Sequence, residues 1–521
     1  MLTYLVIVPI VIAVFLYLFP WEKAARIGAI LAQTGLVGAA FYLFQITRER
    51  DVIVAIGHFE DIMGIILRAD ALSSVFILLT AFIFLLVVLY SFSAEKSRLF
   101  WFLLFIWEGS LIGVFLTWDL FNIFVLMEVM TVVVAILIMY DRDNRSMYDG
   151  IIYLMVNVIV IQFYLLGLGY IYRLIGVLDI EAAAAAVQYL DSRQLALPYA
   201  LMMTFVALKC ALLPLYSWLP KAHSTPGATP AVSAVLSGLH IKGGVFLFIR
   251  LHRIFEPVSV SWFFLVLGLT TAAVGVILAL TQSNIKKILA YSTVAQVGLI
   301  IAGLSMGAVH NYMGSLYHAI NHALFKGALF LFAGMVIKVY GTKDVNKIRG
   351  VLKRMPLMGF AAVLAILGMV GMPLFNASIS KYFMMYDVGP LLNGVMTVIN
   401  LGTIVIFMKF SAILFGNSEG ESVKFCFLQQ VSVLTLGILC LLFGVFGQQL
   451  IWILFGWEAQ VNLYGYLEKS AIFAVSVVVG YFIYQKMIKG RTFFQFDMGF
   501  RGMCAAMGVF FGLILVVVLN F

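Results

Sequence analysis

Ten ionisable side chains stand inside long hydrophobic stretches: Glu108, Glu128, Lys209, His240, Lys242, His318, His322, Lys326, Lys381 and Lys409. If those stretches cross a bilayer, each such group costs at least about 2.5–3.5 kcal/mol to insert, and it normally faces a bundle interior or a wet cavity. A series of them argues for a shared polar path. His318, His322 and Lys326 follow at i, i+4 and i+8, so on a helix they share one face, rising about 6 Å per step. Haem would need histidines on facing helices, and a single row suits proton hopping better. Burial disfavours the charged form of a lysine or a glutamate, and a nearby opposite charge restores it. A glutamate–lysine pair that opens and closes can thereby switch the lysine between holding and releasing a proton. Blander roles remain for some of the ten. Glu108 also fits a hydrated helix end, Lys409 a lysine reaching the interface, and His240 ordinary packing.

The elements that position these groups follow from composition. The 33 Lys and Arg with the 24 Asp and Glu make 11% of 521 residues, and 64% of the chain is hydrophobic. A typical soluble domain carries roughly 25% charged residues. Lipid must therefore solvate this chain, which excludes a soluble enzyme, a disordered chain and a secreted disulfide scaffold. Barrel strands are short and alternate apolar with polar, unlike these runs. The cysteines, Cys210, Cys426, Cys440 and Cys504, form no Cys-x-x-Cys pair, and no glycine-rich nucleotide fingerprint follows a strand-like run. No metal, cofactor or redox centre is expected in this chain.

An all-α fold of about fourteen to sixteen transmembrane helices is expected. The apolar runs place them at 2–20, 27–46, 71–93, 100–117, 119–140, 150–172, 198–220, 229–249, 262–282, 289–306, 312–337, 357–385, 392–415, 428–448, 470–485 and 503–520. The first reads as a membrane helix and not a removable signal, since it has no basic leader. Residues 179–191 are too short and too polar at their edges to span, and fit an interfacial helix. Loops after odd-numbered helices carry 20 of the 33 Lys and Arg, and loops after even-numbered helices 8. Positive residues stay inside, so the N-terminus is expected outside and the chain in the cell (inner) membrane. The net charge of +9 belongs to this asymmetry and implies no nucleic acid. Two helices contain breakers: Pro214 and Pro220 in the seventh, Pro373 in the twelfth. Paired broken helices in corresponding halves point to an inverted-repeat transporter.

Several motifs resemble the antiporter-like subunits of respiratory complex I, of the multisubunit Mrp-type cation/proton antiporters and of the energy-converting membrane-bound hydrogenases. They are Leu67-Arg68-Ala69-Asp70-Ala71-Leu72-Ser73, Leu116-Thr117-Trp118-Asp119-Leu120-Phe121-Asn122 leading to Glu128, and Trp218-Leu219-Pro220-Lys221-Ala222-His223 after Lys209. Ser237-Gly238-Leu239-His240-Ile241-Lys242, Asn284-Ile285-Lys286-Lys287, Asn321-His322-Ala323-Leu324-Phe325-Lys326 and Ser380-Lys381 extend the match from about residue 60 to 415. The resemblance implies two inverted five-helix repeats, residues 99–250 and 260–415, between N-terminal helices at 1–98 and C-terminal helices at 416–521. It also implies roles. Glu128 and Lys209 would be the ion pair of the first half-channel and Lys242 the connecting lysine. His322 and Lys326 would be central-axis groups, and Lys381 the exit-side lysine. His318 and His240 rest on burial and spacing alone. Lys221 stands where complex I subunits often have aspartate, which is closer to the antiporter and hydrogenase branches. The twelfth-helix run Met372-Pro373-Leu374-Phe375-Asn376-Ala377-Ser378 lacks the usual double proline.

The function expected is an ion-translocating subunit of a larger membrane complex. It would move protons, or exchange them for sodium, along the Glu/Lys/His axis, driven by redox chemistry in partner subunits. The alternative is a gradient-driven Na+/H+ antiporter assembly without a redox partner. A transport-inactive scaffold and a partner for inorganic-carbon uptake are further readings.

Overall fold

The computed structural model describes residues 1–18, 22–57, 64–93, 96–417, 421–491, 493 and 495–520. The first half comprises α1 (Leu2–Leu18), α2 (Glu22–Thr47), β1 (Val52–Ile56), β2 (Ile65–Ala69), α3 (Ala71–Ser91), α4 (Arg98–Leu116), α5 (Leu120–Ile138), α6 (Asn144–Ile175), α7 (Ile180–Val187), α8 (Ser192–Lys209), α9 (Trp218–Ser224), α10 (Pro230–Val235) and α11 (Ile241–Ile254). There follow α12 (Ser261–Thr281), α13 (Ile285–Leu304), α14 (Val309–Tyr340), α15 (Val351–Arg354), α16 (Pro356–Val370), α17 (Asn376–Met384), α18 (Pro390–Ser411), α19 (Phe427–Val445), α20 (Gly447–Phe455), α21 (Leu463–Ile483) and α22 (Phe500–Leu519).

Among the described residues, 13 helices are long and apolar enough to cross a membrane, counting α10 and α11 as one. The shorter apolar α1 and α16, with the 18-residue α8, supply the other expected crossings. Residues 19 and 20, the end of the first expected helix, lie outside the described residues. The interfacial helix is α7, eight residues capped by Asp179. The antiparallel hairpin of β1 and β2 departs from an all-helical reading. Its Val52, Ile53, Val54, Ile65 and Ile66 are β-branched and fit a pleated surface. The outer helices present apolar surface outward: only 11% of the apolar window in 463–488 is buried within the chain.

Two bridges expose an internal repeat. Asp119 pairs with Asp179, and Asn284 with Asp344, both partners displaced by 165 residues. The flanking bonds shift equally. Leu120 N–H donates to Leu178 O and Ile285 N–H to Lys343 O, while Ile180 N–H donates to Trp118 O and Val345 N–H to Ser283 O. The same shift lays α6 on α14, each 32 residues long and each ended by a left-handed glycine, Gly176 and Gly341. Asp119 and Asn284 also cap the helices that follow, accepting from Asn122 N–H and Lys286 N–H, which satisfies donors no helix turn can reach. α13 is the fifth crossing after α5, with four between them, so the two units run through the bilayer in opposite directions.

Without a hydrophobic force between helices in lipid, packing depends on close backbone approach. A Cβ on Gly268 of α12 would lie 2.6 Å from Gly298 O on α13, and one on Gly298 would meet Gly268 O at the same distance. Both expected breaks exist. α8 stops at Lys209 and resumes through a 3-10 turn (Leu215–Ser217) into α9, with Ala211 at φ 51°. α16 stops at Gly371, and Leu374 stands at φ 71° before α17. Left-handed conformation costs a non-glycine residue roughly 1–2 kcal/mol, so the surrounding packing holds both turns. Pro220 does not break the chain as the sequence suggested. It is the third residue of α9, in a first turn that needs no N–H from it. One interruption carried no proline signal: a π turn at Leu236–His240 joins α10 to α11 immediately before Lys242.

Candidate functional site

The two breaks and the π turn place most of the ionisable side chains on one buried line. Lys209 ends α8, and its ammonium donates to Thr131 Oγ1 on α5 (3.0 Å) and Asn157 Oδ1 on α6 (2.8 Å). Glu128 acts on it through space instead of by contact. The Glu128 side chain is half-buried, on the helix face that also carries the exposed Val125, Val129 and Val132.

Asn157 Nδ2 donates to Tyr153 O one turn earlier (2.8 Å), and the Tyr153 hydroxyl meets His240 Nε2 (3.4 Å). Trp107 Nε1 donates to His240 Nδ1 (3.3 Å). An indole N–H can only donate, so Nδ1 is the accepting nitrogen and the ring's proton faces Tyr153. Two residues on, Lys242 donates to Ser237 O (3.1 Å) and presses against His322 Nδ1 on α14. His318 lies one turn from His322. It joins Gln296 Oε1 on α13 and Ser380 Oγ on α17, each at 2.9 Å. Lys381, next to Ser380, donates to Asn400 Oδ1 on α18 (2.7 Å) and points at Met369 O and Val370 O. Those carbonyls end α16, where a helix offers negative partial charge to a cation. A cavity of about 60 Å³, lined by Gly371, Lys381, Asn400 and Lys469, adjoins it. Lys326, one turn beyond His322 on the same face of α14, reaches α13 at Leu289 O (2.8 Å) and Ser292 Oγ. From Lys209 to Asn400, every step is a hydrogen bond, a close polar contact or at most one turn of helix.

Three of the candidate residues stand apart from this line. Lys409 donates to Leu280 O and Gln282 O, each at 2.7 Å, and so caps the end of α12. Lys221 forms an ion pair with Asp497 (2.8 Å) in the segment before α22. Glu108 is fully buried in mid-helix, not at a hydrated end, and accepts from Gln33 Nε2 at 2.5 Å.

Sequence reasoning gave no role to the neutral partners Thr131, Tyr153, Asn157, Gln296, Ser380 and Asn400, although Ser380 stood in a motif it quoted. The repeat could have found some of them. A shift of 165 residues carries Thr131 onto Gln296, Tyr153 onto His318 and Asn157 onto His322, so each unit sets the same three positions around its own path. At the cap that precedes α3, Asp70 Oδ2 accepts from Arg250 Nη2 (2.7 Å), whose guanidinium lies 4.3 Å from the centre of the Trp118 ring. Burial pushes the Asp70 carboxyl up, but Arg250 and the Ser73 N–H outweigh it and hold it below the usual carboxylate range.

The profile of the family described as NADH:quinone oxidoreductase/Mrp antiporter, TM matches residues 117–408. The D-type subunit of the Na(+)/H(+) antiporter of Alkalihalophilus pseudofirmus is 28% identical over 387 residues, 72% of this chain and 78% of that protein. The N-type subunit of the NADH-quinone oxidoreductase of Desulforudis audaxviator is 35% identical over 334 residues, 62% of this chain and 66% of that protein. Among solved structures, a chain of the Mrp complex from Dietzia sp. superimposes with a TM-score of 0.82 at 22% identity, covering 93% of this chain and 98% of that one.

Proposed function

The chain belongs to the NADH:quinone oxidoreductase/Mrp antiporter membrane family, and from that premise we propose that it is the ion-translocating, antiporter-like subunit of a multisubunit membrane complex. Protons, or protons exchanged for sodium, move along the line from Lys209 to Lys381, driven by redox chemistry in partner subunits. The observation that carries this reading is the succession of buried polar groups between the two broken helices, joined by polar contacts or by neighbouring positions on one helix. Residues 99–250 and 260–415 are the two half-channels, flanked by helices at 1–98 and 416–521. The lysine- and arginine-rich odd loops face the cytoplasm and the N-terminus faces out, in the cell membrane.

Glu128 identifies the partner-facing side. A carboxylate half-exposed at membrane depth is costly against lipid, so a neighbouring membrane subunit with a hydrogen-bond donor or cation covers this face of α5. Movement there changes the field on Lys209. One charge crossing 100 mV is worth about 2.3 kcal/mol, a scale that rearranging one charge pair can match.

Similarity to a D-type antiporter subunit also supports a second reading, a Na+/H+ antiporter running on an existing gradient. The subunits that co-purify separate the two: flavin, iron–sulfur or nickel–iron chains favour redox coupling. The test of the shared core is ion movement by the complex in reconstituted vesicles. Lys209→Ala and Glu128→Ala should each reduce it at least tenfold; pumping at the parent rate would remove the assignment.

A further inference from the structure

Beneath the side rich in positive charge lies a cavity of about 390 Å³, lined among others by Asp141, Ala228, Lys286, Lys338, Lys343 and Gln429. All belong to loops, or helix ends beside loops, of the odd-numbered set. Its inner wall is the segment between α9 and α10, which is firmly held. Lys343 Nζ donates to Ser224 O (3.1 Å), Lys286 Nζ to Ala228 O (2.5 Å) and Gly227 N–H to Ser146 Oγ (2.7 Å).

Directly behind that wall is His223. It is fully buried, and neither ring nitrogen has a hydrogen-bond partner among the described residues. Its ring stacks on Phe330 of α14, centroids 4.4 Å apart, and Phe330 follows Lys326 by one turn. Lys286 on the cavity side and Lys326 on the axis side are both within electrostatic reach of the ring. A buried polar group without a partner is rare and calls for an explanation. Packing alone would be served better by a phenylalanine on Phe330.

Building on the transport reading, we propose that this cavity is the cytoplasmic inlet of the axis, and that His223 relays protons from the Lys286 side to Lys326. A proton added to one ring nitrogen leaves from the other, so the imidazole is neutral before and after, and no bond other than N–H forms or breaks. Lys326 then passes the charge along the same face of α14 to His322, one turn away, and on to Lys242.

The test uses the whole complex in vesicles with an internal pH-sensitive dye, and compares His223→Phe with Lys209→Ala. His223→Phe keeps the stack on Phe330 and removes only the nitrogens. The expected result is an assembled complex whose proton movement falls at least tenfold. Parent-rate movement in His223→Phe, with Lys209→Ala slowed, overturns the inlet and leaves the transport reading standing. Parent rates in both overturn the two together. If His223→Phe does not assemble, the cavity decides. Gln429→Cys, in a chain whose Cys426 and Cys504 are serine, is modified from the cavity side with a bulky cationic thiol reagent. Slowing of tenfold or more supports the inlet, and an unchanged rate overturns it.

Discussion

At the scale of single residues, the chain spends its charges in two ways. Some are locks. Asp70 ties the start of α3 to Arg250 near the end of α11, and Arg250 is buried. Removing one partner of a buried pair strands the other, at a cost of about 3 kcal/mol. Because Asp70 titrates below its unfolded value, its contribution is complete above the ordinary carboxylate range and fades as the pH falls through its folded value. Asp70→Asn should therefore lower the unfolding temperature of the detergent-solubilised protein at neutral pH, with the deficit shrinking in acid. A deficit that stays constant with pH would contradict the assignment. Other charges are poised groups, held by neutral amides, hydroxyls and carbonyls instead of counter-ions. Lys209 on Thr131 and Asn157 is the clearest case. The lysines and histidines were legible in the sequence because a charge in an apolar run has few innocent explanations. Thr131, Tyr153 and Asn157 were not, because an isolated polar residue in a membrane helix looks like any other until its neighbour across the bundle is known.

At the scale of elements, the interruptions aim the side chains. The break after α8 leaves Lys209 at a helix end, and the π turn rotates Lys242 toward α14. Close packing fixes the first of these. A Cβ on Gly244 would lie 2.9 Å from the Lys209 carbonyl carbon and 3.0 Å from Cys210 Sγ, whereas one on Gly243 would meet only side-chain methyls at 3.4 and 3.6 Å. Gly244→Ala should thus slow ion movement at least tenfold although it alters no titratable group, and Gly243→Ala should leave it near the parent rate. Equal rates for the two in the vesicle assay would show that the backbone of the break does not set the position of Lys209. Proline marked both breaks in the sequence, but Pro220 pointed to the wrong turn, since the same residue that disrupts a helix interior is harmless in its first turn. The π turn had no composition cue at all. The hairpin of β1 and β2 was hidden by the apolar bias of its neighbours.

At the scale of the whole molecule, two units of opposite orientation share one fold and diverge in chemistry. Backbone bridges keep the 165-residue correspondence, while Tyr153 and Asn157 in one unit are His318 and His322 in the other. Those exchanges hid the 165-residue register of the repeat from residue-type comparison, whereas the helix count and the paired broken elements were readable from hydropathy and proline. The asymmetry gives the path a direction: neutral relays beside Lys209, titratable ones beside Lys381. Lys242 against His322 is where the line from Lys209 crosses from one unit to the other. The measurement that bears most directly on the account is proton movement by the purified complex in vesicles with Lys242→Ala, alongside its partner-driven reaction or gradient. Movement should fall at least tenfold while the complex still assembles. Proton movement at the parent rate would mean that charge does not pass between the units at this point.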